Sequence, residues 1–209
     1  MAETAHHCPT CGAPFRIRNR YVKVVACEFC GHVALYDGVH LDPTGRTAGL
    51  ADLPSPLSLD ATGRLAGRPF RVAGRLLYAY DGGRWAEWFL DFGDRAGWLV
   101  EDEGRFTLLV KQPAEAPPPF DAVRVGQTLR VSGYDLFVTE KATAEITAAE
   151  GQLGLPILPG EVVGYVDGTA PGTDGAAVEV GLEYAAAETE LFVGRTLPHD
   201  AVAVDAETF

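Results

Sequence analysis

Residues 70–92, FRVAGRLLYAYDGGRWAEWFLDF, read as two strands joined by a tight turn. Phe70, Val72, Leu76, Tyr78 and Tyr80 are spaced to share one face, with Arg71, Ala73 and Arg75 on the other, the period of an extended chain. Asp81-Gly82-Gly83 is a turn signal between them. The returning strand, Arg84 to Phe92, sets Ala86, Trp88, Leu90 and Phe92 on one side and Trp85, Glu87, Phe89 and Asp91 on the opposite one. Working outward, turns at Gly93-Asp94 and Glu103-Gly104 bound further strands at Trp98 to Glu101 and Phe106 to Val110. The pattern predicts an antiparallel meander with short connections.

Proline-rich residues 112–120 (QPAEAPPPF) cannot run through the middle of a sheet and read as a connector. Beyond them Gly126 to Val131, a Ser132-Gly133 turn and Tyr134 to Lys141 predict a second hairpin. Strands follow at Ala142 to Ala149, Glu161 to Asp167, Ala176 to Tyr184 and Glu190 to Val193, with a loop at 168–175. The run from Gly63 to Val72 echoes the run from Gly126 to Val138: glycine, strand, glycine turn, strand. Two related small barrels would produce that echo, and so would the ordinary recurrence of hairpins. The tail from His199 to Phe209 is acidic and weakly patterned, a short helix or a frayed end.

All four cysteines lie near the start, as Cys8-Pro9-Thr10-Cys11-Gly12 and Cys27-Glu28-Phe29-Cys30-Gly31, with fifteen residues between the pairs. Two such pairs at this spacing suit one tetrahedral zinc ion held by four thiolates, a closed and therefore structural site. Redox dithiols of this spacing accompany a βαβ pattern, which is absent here. His6, His7 and His32 are nearby donors, but the four sulfurs already complete the shell. Some 35 residues cannot bury enough apolar surface to fold unaided, so metal binding is expected to drive folding of this segment. The predicted fold is all-β: a zinc ribbon over residues 1–36, a linker over 37–62, and an antiparallel β-meander body. The body is one sandwich or two small barrel-like subdomains, at 63–112 and 120–209. Leu50, Leu53, Leu57 and Leu59 of the linker are candidates to dock on it.

The net charge of −12 is uneven: residues 1–35 hold four basic and two acidic groups, so the remainder carries −14. An acidic body repels polyanions and favours basic or neutral partners. No stretch approaches the roughly 18 apolar residues of a membrane helix, and the start lacks the regions of a signal peptide, so a cytoplasmic protein is expected.

Tyr78-x-Tyr80, Gly83-Arg84-Trp85-x-Glu87-Trp88-x-Leu90 and Gly97-Trp98-Leu99 resemble the signature of a bacterial family known as domain of unknown function 4178. Glu150-Gly151-x-Leu153, Pro159-Gly160-Glu161, Tyr165-x-Asp167 and Glu183-Tyr184 extend the resemblance over nearly the whole chain. One departure is Gly154-Leu155-Pro156, where a plainer G-E-L-P run is the family pattern. The resemblance implies a β-rich architecture, frequently with an amino-terminal zinc ribbon, and a place in a stress-related or membrane-associated assembly. It brings no activity.

Three groups of residues are candidates for function besides Cys8, Cys11, Cys27 and Cys30. Arg16, Arg18 and Arg20 alternate as a cationic stripe that would contact the phosphates of a nucleic acid or, more simply, form a solvated face or dock on acidic protein. Trp85, Glu87 and Phe89 share a face on which an aromatic and a carboxylate would hold a cationic, polyamine-like ligand, or would simply pack. The acidic segments 101–103 and 167–174 match no calcium loop and read as solvated. Residues 41–198 contain no histidine or cysteine, the three serines sit in no nucleophile elbow, and no phosphate loop or dinucleotide fingerprint is present. These absences disfavour the common hydrolytic and transfer chemistries. The expectation is a non-enzymatic adaptor or scaffold with protein partners. The alternatives are a nucleic-acid-associated protein acting through the ribbon, and a small-cation binder or enzyme.

Overall fold

The period-two patterning is realised from end to end. The computed structural model describes residues 5–49, 51–186, 188–198 and 200–205, and among them strands dominate and there is no α-helix. The amino-terminal segment contains β1 (Ala5–His7), β2 (Pro14–Arg16), β3 (Val24–Ala26), β4 (His32–Tyr36) and β5 (Leu41–Thr47). The first run of the body is β6 (Thr62–Leu65), β7 (Arg68–Tyr80), β8 (Gly83–Asp91), β9 (Ala96–Asp102) and β10 (Arg105–Gln112). The second is β11 (Thr128–Val131), β12 (Tyr134–Leu153), β13 (Val162–Pro171), β14 (Ala177–Tyr184) and β15 (Thr189–Leu197). A last strand, β16 (Val202–Val204), pairs with β6, so this part of the tail is neither helical nor frayed.

Each run is an antiparallel meander, and the two close on one another. Strand β10 pairs with β15 and β7 pairs with β12, both antiparallel, giving a closed eight-stranded barrel in the order β7-β8-β9-β10-β15-β14-β13-β12. Exchanging β6–β10 for β11–β15 leaves this pairing pattern unchanged. The echo between Gly63–Val72 and Gly126–Val138 is that exchange. Hairpin β6–β7 turns through Ala66 and Gly67 (φ 49° and 81°), and hairpin β11–β12 through Ser132 and Gly133 (φ 45° and 91°). The echo therefore marks two halves of one barrel.

A bulge corrects the expected faces of β7. Val72 pairs with Leu90 and Gly74 with Phe89, so Ala73 is an extra residue and the side-chain phase inverts there. Phe70 and Val72 pack outside the barrel, whereas Leu76 and Tyr78 point in, and the five residues do not share one face.

Both halves carry an outer strap. Residues 51–57 cover the first: Leu57 is buried against Leu77, Trp88 and Leu99, with Ala51 and Leu53 beside it. The buried Arg75 guanidinium stacks on Trp88 at 4.6 Å and donates to the carbonyls of Ala51 and Leu53, fixing the strap. Leu59 is 38% exposed, and Leu50 lies outside the described residues. Residues 114–131 cover the second half, where Val123 and Val131 pack on Leu136, Val166, Val180 and Leu182.

The amino-terminal segment closes the base of the barrel. Strand β3 pairs with the last residues of β12, so the β3-β4-β5 sheet grows out of the barrel wall. Val24, Ala26 and Val33 share one core with Phe89, Leu153, Leu155 and Ile157. Gly154 is required there, because a Cβ would lie 2.5 Å from the Phe89 ring. The Gln152 side chain locks the joint, accepting from the Arg18 N–H (3.0 Å) and donating to the Arg16 carbonyl (2.6 Å).

Candidate functional site

Two turns of the same design bring the cysteines together. The Gly12 N–H donates to the Cys8 carbonyl and Gly31 N–H to that of Cys27, while the Cys8 and Cys27 amides donate to Ala13 and His32. Gly12 and Gly31 take the left-handed backbone (φ 76° and 71°) that each turn needs. The Cys8 and Cys30 sulfurs lie 3.7 Å apart and those of Cys11 and Cys27 3.8 Å apart, with all four within 4.8 Å. Four thiolates at about 2.3 Å from one ion form a tetrahedron with edges of about 3.8 Å, so these residues can hold a metal ion. These separations are far too long for disulfide bonds, and all four cysteines are free. Among the described residues this is the only group of three or more donors so close together, and no histidine belongs to it.

The barrel encloses a second candidate site, a cavity of about 400 Å³. Trp85 and Glu87 of β8 both line it, as their shared face requires. Phe89, next on that face, sits lower: it packs at 4.9 Å on Trp98 and helps to floor the cavity without lining it. Trp85 stacks on Tyr78 with ring centres 4.8 Å apart and meets Tyr80 and Tyr165 edge-on at 5.5 and 5.4 Å. Its indole N–H donates to Glu87 Oε1 at 3.0 Å.

Five more carboxylates line the same cavity: Asp102, Glu140, Asp167, Glu179 and Glu183, against a single cation, Arg105. No salt bridge ties any of these acids to a lysine or arginine among the described residues. Burial pushes the Glu87 carboxyl up to about 7, against the opposing effect of the Trp85 hydrogen bond. Asp167 stays accessible to solvent within the cavity, yet desolvation there and the charges of Glu140, Glu87 and Glu179 raise its carboxyl to about 7. Glu183, 8% exposed, is held well above the usual carboxylate range by burial and by Glu87. Its partner is the Tyr78 hydroxyl at 3.4 Å, and the Tyr165 hydroxyl donates to Glu140 at 2.7 Å.

The alternation of β8 placed Trp85 and Glu87 together; Asp102 and Asp167 are exposed, as the reading of 101–103 and 167–174 as solvated acidic segments expects, but that reading gave no sign that both also line the cavity. Glu183 and Glu179 were also missed. On β14 the apolar Val178, Val180 and Leu182 advertise the core face, yet they pack outward under the second strap, and the acids between them face in.

The arginine stripe does not lie along one strand, since β2 ends at Arg16. Arg18 pairs with Asp60, and Arg20 bonds the Tyr21 hydroxyl and the Asp94 carbonyl, contacts that hold this segment to the body.

No helix among the described residues is long and apolar enough to cross a membrane. No curated protein matches the chain, and no solved structure does. The family model described as Domain of unknown function (DUF4178) matches residues 58–199, a span that takes in the whole barrel and leaves out the cysteine segment. The chain therefore belongs to the family of the domain of unknown function DUF4178, with a four-cysteine segment added in front of the matched span.

Proposed function

We propose that this protein is a receptor for a small organic cation, bound inside the barrel, and that its amino-terminal segment is a zinc ribbon with a structural role. One observation carries the reading: six carboxylates and one arginine line a cavity whose wall is Tyr78, Tyr80, Trp85 and Tyr165. Carboxylates gathered without cationic partners repel one another, and a cation with apolar flanks relieves them while resting on aromatic faces. Zinc fits the cysteine centre because four thiolates leave no open coordination position and prefer a soft, tetrahedral ion.

The test is calorimetry on the full chain with 1-aminobutane, and with butanoate as the control of opposite charge. The amine is expected to bind and to quench tryptophan fluorescence, whereas butanoate gives no heat. Absence of amine binding at millimolar concentration would overturn the receptor reading. Elemental analysis of purified protein is expected to return one zinc per chain.

The adaptor reading keeps one specific support: Phe29 at the tip of the second cysteine turn is 67% exposed and Val39 is 66% exposed, which suits a protein contact. The nucleic-acid reading has less, since Arg18 and Arg20 are engaged with the body.

A further inference from the structure

The acids of the cavity stand in a ladder. On β14, Glu179, Gly181 and Glu183 share the inner face, and Gly181 lies opposite Asp167 of β13. A Cβ at Gly181 would come 2.9 Å from Asp167 Oδ1, so the carboxylate of Asp167 fills the place of the missing side chain. Carboxylates thus recur at the levels of Glu179, Asp167 and Glu183. Successive levels are two residues apart, a step of about 7 Å at a strand rise of ~3.3 Å per residue. Glu87 faces the lowest level from β8, which stands four strands from β14 in either direction around the barrel. Glu140 and Asp102 mark the open end, where both are exposed.

Two features show what this ladder would hold. No three of these carboxylates approach closely enough to share a metal ion, so the charges are spread for a partner larger than an atom. Glu183, the deepest and more than nine-tenths buried, has no cationic partner among the described residues and only a long hydrogen bond from Tyr78. A carboxyl so placed, once ionised, is relieved by a cation that reaches the bottom of the cavity. Between the levels, Tyr78, Trp85 and Tyr165 present aromatic surface that suits methylenes.

We propose that the cavity takes a linear aliphatic amine with two or three ammonium groups, one ammonium at each level of the Glu183, Asp167 and Glu179 ladder. A spacer of about four or five methylenes, advancing roughly 1.25 Å per bond, covers one step. This inference rests on the cation-receptor reading and adds to it the valence and the length of the ligand.

Calorimetry at pH 8 on the full chain tests it with three probes: 1-aminobutane, 1,4-diaminobutane, and the triamine made by adding an aminobutyl arm to the latter. Each added ammonium is expected to tighten binding ~10-fold, the worth of one charge-assisted contact. In Glu179→Gln the triamine is expected to fall to the affinity of the diamine. Equal affinities for the mono-, di- and triamine in the wild-type chain, a measurement that needs no variant, would overturn the ladder and leave the receptor reading standing. No binding by any amine would remove both.

Discussion

Glu87 sits on the barrel wall with Leu76 and Val100 as its strand neighbours and Trp85 as its hydrogen-bond donor. The folded chain keeps protons on Glu87 and Asp167 up to about pH 7, whereas the unfolded chain releases them near pH 4. Within that window the folded state binds more protons, so stability falls as pH rises, and most of the fall is complete above pH 7. The charges facing these two groups, Glu183, Glu140 and Glu179, act in the same direction. Thermal midpoints of the ligand-free protein are expected to be higher at pH 6 than at pH 8, with added diamine raising the pH 8 value most. Glu87→Gln keeps an acceptor for the Trp85 N–H and removes the charge. It is expected to raise the midpoint at pH 8 by roughly 2–4 °C, as ~1 kcal/mol does in a chain of this size, and to weaken amine binding ~10-fold or more. Scanning calorimetry and titration of one sample read both effects. At this scale the sequence was half legible. Strict alternation placed Trp85 and Glu87 together, whereas Asp167 and Glu183 were hidden because apolar side chains on their strands pack outward under a strap, reversing the usual sense of an amphipathic strand.

Among the elements, the strands and the tight turns were readable because period two and paired turn residues such as Ser132-Gly133 are local signals. The bulge at Ala73 was not, since it depends on what lies across the ladder: Leu90 and Phe89 meet Val72 and Gly74 and leave Ala73 over. The Gln152 joint is likewise long-range, 134 residues from Arg18. Gln152→Ala removes both hydrogen bonds and leaves the Arg18 N–H and Arg16 carbonyl without that partner at the boundary of two elements. A loss of about 1–3 kcal/mol is expected, read as a lower denaturation midpoint in urea. Hydrogen exchange is expected to speed up at Arg18 and Val25 before it does at β9 or β14, because the joint opens first.

For the molecule as a whole, barrel closure rests on β7 meeting β12 and β10 meeting β15, pairings between distant parts of the chain that no local pattern encodes. The internal echo was the one trace of it in the sequence, and it fitted separate barrels equally well. The four-cysteine segment is joined to the same body, because Val24, Ala26 and Val33 complete the core of the base with Leu153, Leu155 and Ile157. With a metal bound at the cysteines as proposed, its removal is therefore expected to cost the barrel as well as the amino-terminal segment. A strong chelator, or Cys8→Ser, should lower a single thermal transition by ~10 °C or more, with near-ultraviolet dichroism of the tryptophans and far-ultraviolet strand signal falling together. An unchanged tryptophan signal after complete metal loss would show that the two parts stand independently. Strand β12 is the element that joins them. Its 20 residues pair in turn with β11, β13, β7 and β3. It behaves as a tie rod: tension applied at the amino terminus runs through β3 into β12 and loads its contact with β7, so a tug on the thiol-bearing end is felt along the line where the cylinder was sealed.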